Sequence, residues 1–166
     1  MIRLLLGCLL AITASACPYF TPSQVNVLRI AYAVGAPYDL GYSMAAITWQ
    51  ESFGCRPGVA VCTENLSDGS YGSYGVCQMQ ITTYAWHYHR VDAQSFTWGE
   101  WAPTAQRLKD DPVFALESCA GYLYKHLQDT GSYRAAWARY NGGGQAAARY
   151  AEQIAYRVRT LQECGL

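Results

Sequence analysis

The sequence predicts a single, mainly α-helical domain with one short irregular or hairpin excursion near its middle. Three observations lead there. The chain has 166 residues, 51% hydrophobic and only 14% charged, which suits one core of ordinary domain size and not a disordered chain. Apolar residues recur at three- and four-residue spacing in several segments flanked by helix caps and breakers. No repeat, low-complexity tract or long linker divides the chain.

The first sixteen residues read as a targeting segment and not as part of the fold. Arg3 precedes an apolar run over 4–12, and Ala14, Ser15 and Ala16 form a small-residue cleavage pattern. The run is too short to span a bilayer comfortably. Cutting after Ala16 leaves a domain over 17–166 with Cys17 at its start. Secretion without lipid is the expectation, because Ala14 stands where lipoprotein signals prefer a large aliphatic residue.

Cysteine usage agrees with export. Setting aside Cys8 leaves Cys17, Cys55, Cys62, Cys77, Cys119 and Cys164, an even number that permits up to three disulfides in an oxidising compartment. Six cysteines allow about fifteen connectivities, and spacing does not choose among them. No C-x-x-C pair exists, and His87 and His89 have no cysteine at ligand spacing, so no metal or other cofactor is expected. Both histidines are expected to be solvated.

The helices follow in order. Thr21 as cap, Pro22 at the first position and Gln24 closing a capping box start the first, with Val25, Leu28 and Ala31 or Tyr32 inward and Gly35 and Pro37 ending it. A second is expected over 42–53, with Met44, Ala45 and Ile47 facing the core and Gly54 and Pro57 stopping it. Residues 56–75 are rich in Gly, Ser, Asp and Asn and read as loop or short hairpin. A helix is expected to begin within 74–77, followed over 87–109 by loop with at most a short helix. Asp111 and Pro112 open a clear helix carrying Leu116, Ala120, Leu123 and Leu127 up to Gly131. Ser132 opens another through Ala135, Trp137 and Tyr140. After the glycines at 142–144, a last helix carries Ala151, Ile154, Val158 and Leu161. Of Trp86, Trp98 and Trp101, at least two are expected in the core and any other on a sugar-stacking surface.

Charge narrows the functional classes. Twelve basic residues balance twelve acidic ones, which argues against a nucleic-acid partner. Glu51 stands out because it falls in the last turn of an apolar helix, where an acidic side chain opposes the helix dipole. Taken alone, it reads as a solvated surface residue.

Glu51-Ser52 does not stand alone. The segments ITWQESF, SDGSYGSYGVCQMQIT, ARYNGGG and RYAEQI, in this order, resemble the soluble lytic transglycosylase family, whose pattern is E-S, G-L-M-Q, A-Y-N and a late Tyr. The resemblance spans 23–161. It implies a goose-type lysozyme-like fold and a peptidoglycan glycan strand as substrate. It also implies Glu51 as the catalytic residue, with Ser52 supporting the site through its hydroxyl. Gln78, Tyr140 and Asn141 would bind the saccharide, Gly75 would allow close backbone approach, and Tyr150 would contact the catalytic carboxylate. Three departures stand out: Cys77 replaces Met, Arg139 replaces Ala, and Ser118 stands where the family often has Gly.

The chemistry is coherent from the residues themselves. Glycosidic cleavage needs a proton on the leaving oxygen, and burial of Glu51 at the negative end of a helix would raise its pKa toward that task. A hydrolase normally needs a second carboxylate, for which Asp68 and Glu64 are the nearby candidates in sequence. A transglycosylase does not, because the substrate's acetamido group can stabilise positive charge while the muramic 6-hydroxyl closes a 1,6-anhydro ring. Lytic transglycosylase is therefore the leading expectation, ahead of a muramidase using Asp68 or Glu64 and of a non-catalytic glycan-binding module. A small exported version, expected as a periplasmic monomer, suits wall opening beside secretion, conjugation or phage assembly components.

Overall fold

A computed structural model describes residues 19–52 and 72–166. The targeting segment, Cys17, Phe53, Cys55, Cys62, Glu64 and Asp68 lie outside the described residues. Seven helices and one two-stranded sheet make up the described fold.

Helix α1 (Pro22–Gly35) begins as its sequence demands. The Thr21 hydroxyl accepts from the Gln24 backbone N–H, and the Gln24 side chain accepts from the Thr21 N–H at 2.9 Å, so two otherwise orphaned donors are satisfied. A Cβ at Gly35 would stand 2.7 Å from both the Leu40 carbonyl oxygen and Met44 Cγ, so only glycine permits this close turn. A single 3₁₀ turn (Ala36–Tyr38) then reverses the chain into α2 (Gly41–Ser52). Met44, Ala45, Ala46, Ile47 and Thr48 are fully buried. Buried along most of its length, α2 packs against α1, α7 and α5.

The region after the second helix departs from expectation. Instead of a helix starting within 74–77, β1 (Ser73–Tyr74) pairs antiparallel with β2 (Met79–Gln80), Ser73 opposite Gln80 and Tyr74 opposite Met79. Gly75 at φ 72° forces the chain into a turn there, and its backbone lies so near α4 that a Cβ would meet the Leu108 carbonyl oxygen at 2.3 Å. Helix α3 (Ile81–His89) begins only after the hairpin closes.

The second departure is α4 (Trp98–Asp110), where mostly loop was expected. Trp101, Ala105 and Leu108 form a buried stripe at spacings of four and three residues. That burial outweighs the backbone bond lost at Pro103 inside the helix.

The rest follows its sequence signals. The Asp111 side chain accepts from the Phe114 N–H at 3.0 Å and opens α5 (Pro112–Thr130), which buries Leu116, Ala120 and Leu123, half-buries Leu127 and ends at Gly131. Ser132 caps α6 (Tyr133–Tyr140), and α7 (Gly144–Glu163) buries Ala151, Ile154 and Leu161. A disulfide joins Cys77 in the hairpin turn to Cys119 on α5, and Cys164 is also disulfide-bonded. Trp101 lies in the core and Trp98 packs against it, stacking on Tyr74 at 6.4 Å, whereas Trp86 is 53% exposed. His87 is half-buried against Tyr122 instead of solvated, while His89 is exposed. Among the described residues, no helix is long and apolar enough to cross a membrane.

Candidate active site

Glu51 is the penultimate residue of α2, and it lines a cleft of about 240 Å³. The hairpin supplies Ser73, Gln78, Met79 and Gln80 to the walls, α3 supplies Thr83, and α5 supplies Tyr122. Tyr140, Asn141 and Gly142, at the end of α6, complete them. Among the described residues, Glu51 is the one acidic side chain in this lining.

The electrostatics of Glu51 set burial against two opposing effects. Removal from water pushes its pKa above the ordinary glutamate value, while a hydrogen bond from Tyr150 and the positive charge of Arg157 pull it down. Burial wins, so the carboxyl holds its proton to higher pH than a free glutamate. Arg157 is itself fixed in place: its Nε donates to the Gln50 side-chain oxygen at 2.7 Å, and its guanidinium sits 4.5 Å from the centre of the Trp49 ring.

Tyr150 reaches Glu51 from α7, ninety-nine residues on in sequence. Its hydroxyl donates to Glu51 Oε1 at 2.6 Å, a short bond that fixes the carboxyl orientation. Burial and the neighbouring Glu51 charge hold the Tyr150 phenol far above its usual pKa, so it stays a neutral donor. Tyr150 stacks on Tyr140 at 6.5 Å with the rings 16° from parallel. For Tyr150→Phe we expect a lower rate and an alkaline limb of the pH–rate profile moved upward, because one of the two effects holding the Glu51 pKa down is gone. A rate unchanged across pH would show that Tyr150 only fills space.

The opposite wall is built from the hairpin turn. Gln78 has φ 53°, a conformation that costs an ordinary residue about 1–2 kcal/mol. Its backbone N–H and its side-chain Nε2 both donate to the Gly75 carbonyl, at 3.1 and 3.0 Å, which offsets that cost and fixes the side chain. Tyr140 donates its hydroxyl to the Cys77 carbonyl at 2.9 Å, and the Cys77 sulfur is bonded to Cys119. The wall is thus anchored to α5 and α6 at one residue.

Five of the expected site residues therefore converge on one place: Glu51, Gln78, Tyr140 and Asn141 line the cleft, and Tyr150 bonds to the acid. Gly75 and Ser52 do not line it. Gly75 closes on Leu108 and Ala115 and acts through Gln78, while the buried Ser52 hydroxyl donates to the Thr48 carbonyl at 2.9 Å. Asp68 and Glu64 lie outside the described residues. Sequence reasoning missed Tyr122 and Thr83. Tyr122 falls one turn beyond Cys119 on α5, so only the Cys77–Cys119 pairing, which cysteine spacing does not select, ties it to the cleft.

No protein-family model matches this chain, and no curated protein or solved structure matches it.

Proposed function

We propose that this protein is a lytic transglycosylase with a lysozyme-like helical fold, cleaving the β-1,4 bond between MurNAc and GlcNAc in peptidoglycan and leaving 1,6-anhydro ends. The observation that carries the reading is a cleft that, among the described residues, holds one carboxyl, of raised pKa and oriented by a neutral phenol. Glu51 gives its proton to the glycosidic oxygen as the bond breaks, and the substrate's acetamido group stabilises the positive charge that develops. The resulting carboxylate then takes the proton of the muramic 6-hydroxyl as that oxygen closes the ring. Tyr150 holds the carboxyl for both steps, and Gln78 and Asn141 offer amides to the sugar. Export to the periplasm is part of the same reading, supported by the N-terminal targeting pattern and the disulfides.

Mass spectrometry of digested cell wall tests it. Anhydro products are one water lighter than hydrolysed ones, so hydrated reducing ends would overturn the transglycosylase reading in favour of a muramidase using Asp68 or Glu64. Glycan binding without turnover would make the chain a binding module. The rate is expected to fall as pH rises through the raised pKa of Glu51, since only the protonated acid begins the reaction.

A further inference from the structure

The last turn of α2 presents Trp49, Gln50 and Glu51 in succession, and α7 meets all three with two side chains. Tyr150 and Arg157 stand two turns apart along one face of α7. Tyr150 bonds to Glu51. Arg157 donates from Nε to the Gln50 side-chain oxygen at 2.7 Å and sets its guanidinium 4.5 Å from the centre of the Trp49 ring. Trp49 is held in turn by Phe20, just ahead of α1, whose ring lies 4.8 Å away at 83° to it.

Arg157 does not line the cleft. What it supplies is charge. The last turn of α2 carries no basic residue of its own, so the positive charge near this negative helix end comes from α7. A guanidinium stays charged at any working pH, and here two neighbours fix its plane. The reaction creates a need for it. When Glu51 gives up its proton, a carboxylate is left in a buried position, and burying an uncompensated charge is costly. The other ionisable groups around Glu51 are phenols: Tyr150 from α7, Tyr140 from α6, and Tyr122 from α5 in the same cleft. Of these groups, Arg157 alone is a cation.

We propose that Arg157 is a positioning residue for glycan cleavage: it locks the last turn of α2 onto α7 and stands as the counter-charge to the Glu51 carboxylate that proton transfer leaves behind. This rests on the proposed glycan-cleaving function and adds what steadies the acid between its two steps. With Arg157 in place the ionised state costs less, so Glu51 parts with its proton more readily while Tyr150 keeps the carboxyl oriented.

The test follows the Glu51 carboxyl by carbon NMR across pH, its signal assigned by its loss in Glu51→Gln, alongside kcat–pH profiles on glycan strands. Arg157→Met keeps an apolar stem and removes the charge. In it the Glu51 titration and the alkaline limb of kcat are both expected to move upward, and kcat to fall about tenfold. Arg157→Lys keeps a charge and is expected to return the titration most of the way. An unmoved titration in the Met variant overturns the proposal even if kcat or Tm falls, because a merely structural role would give that result. So does a Lys variant that titrates like the Met variant. If Arg157→Met does not fold, Gln50→Leu releases the guanidinium without deleting it. A smaller upward move is expected there, and no move overturns the proposal. The titration itself needs no turnover. A wild type that cleaves no glycan strand removes the proposed function and this role with it, whereas an unmoved titration in a protein that cleaves removes this role alone.

Discussion

Glu51→Gln is expected to lower glycan cleavage by about a thousandfold or more, the usual scale of a lost general acid and base, while making the folded protein more stable at neutral pH. The two effects share one cause. Folding raises the Glu51 pKa above its ordinary value of 4.5, so the folded state keeps this proton at pH values where the unfolded chain has lost it. The stability this group contributes is therefore complete below about pH 4.5 and is lost as pH rises through the folded value. Gln does not ionise, and its side-chain oxygen can still accept from Tyr150. Thermal melts across pH should show the variant gaining on wild type as pH rises and matching it near pH 4.5. A variant that melts below wild type at neutral pH would mean that the Tyr150 and Arg157 interactions, not burial, dominate at Glu51. Retained cleavage would remove Glu51 from the catalytic role.

Loss of the Cys77–Cys119 disulfide is expected to have the largest effect on stability. The bridge closes a sequence separation of 42 residues, so replacing both cysteines by Ala should cost about 2–4 kcal/mol. For a domain of this size that lowers Tm by about 5–15 °C. The double variant is a cleaner probe than a reductant, because Cys164 is disulfide-bonded as well. Activity measured well below Tm should also suffer, mainly in KM, since the turn that carries Gln78 loses its tie to α5. Wild-type Tm in the double variant would show that Tyr140 and the packing of Gly75 hold the hairpin on their own.

Local chemistry explains which parts of the fold were legible in the sequence. The starts of α1, α5 and α6 are written in side chains that satisfy their own backbone: Thr21 with Gln24, Asp111 with Pro112, and Ser132. A mid-chain hairpin was legible as a possibility over 56–75 but its strands at 73–74 and 79–80 were not, because a two-residue strand has too few positions to show alternation, and its defining feature is a left-handed Gln78 held by the Gly75 carbonyl. Helix α4 was hidden for a different reason. Pro103 and the crowd of aromatics around it mask a short apolar stripe that becomes decisive only when Trp101, Ala105 and Leu108 meet the core.

The candidate site divides the same way. Glu51, Gln78, Tyr140, Asn141 and Tyr150 stood out through the resemblance of their segments, and the geometry brings them together. Tyr122 and Thr83 stood out in nothing. Each sits on an otherwise ordinary helix, and only the folding of α3 and α5 against the hairpin turns them toward Glu51.

The bond between Tyr150 and Glu51 also has a consequence in time. The two residues lie 99 positions apart, and Tyr150 sits on the last helix of the chain. A chain released from its N-terminus exposes the α2 sequence long before α7 exists to cover it. Until then Glu51 is an ordinary, hydrated glutamate, ionised and without its orienting phenol. The order of synthesis therefore sets the order of assembly, and the Glu51–Tyr150 pair can form only when the final helix docks.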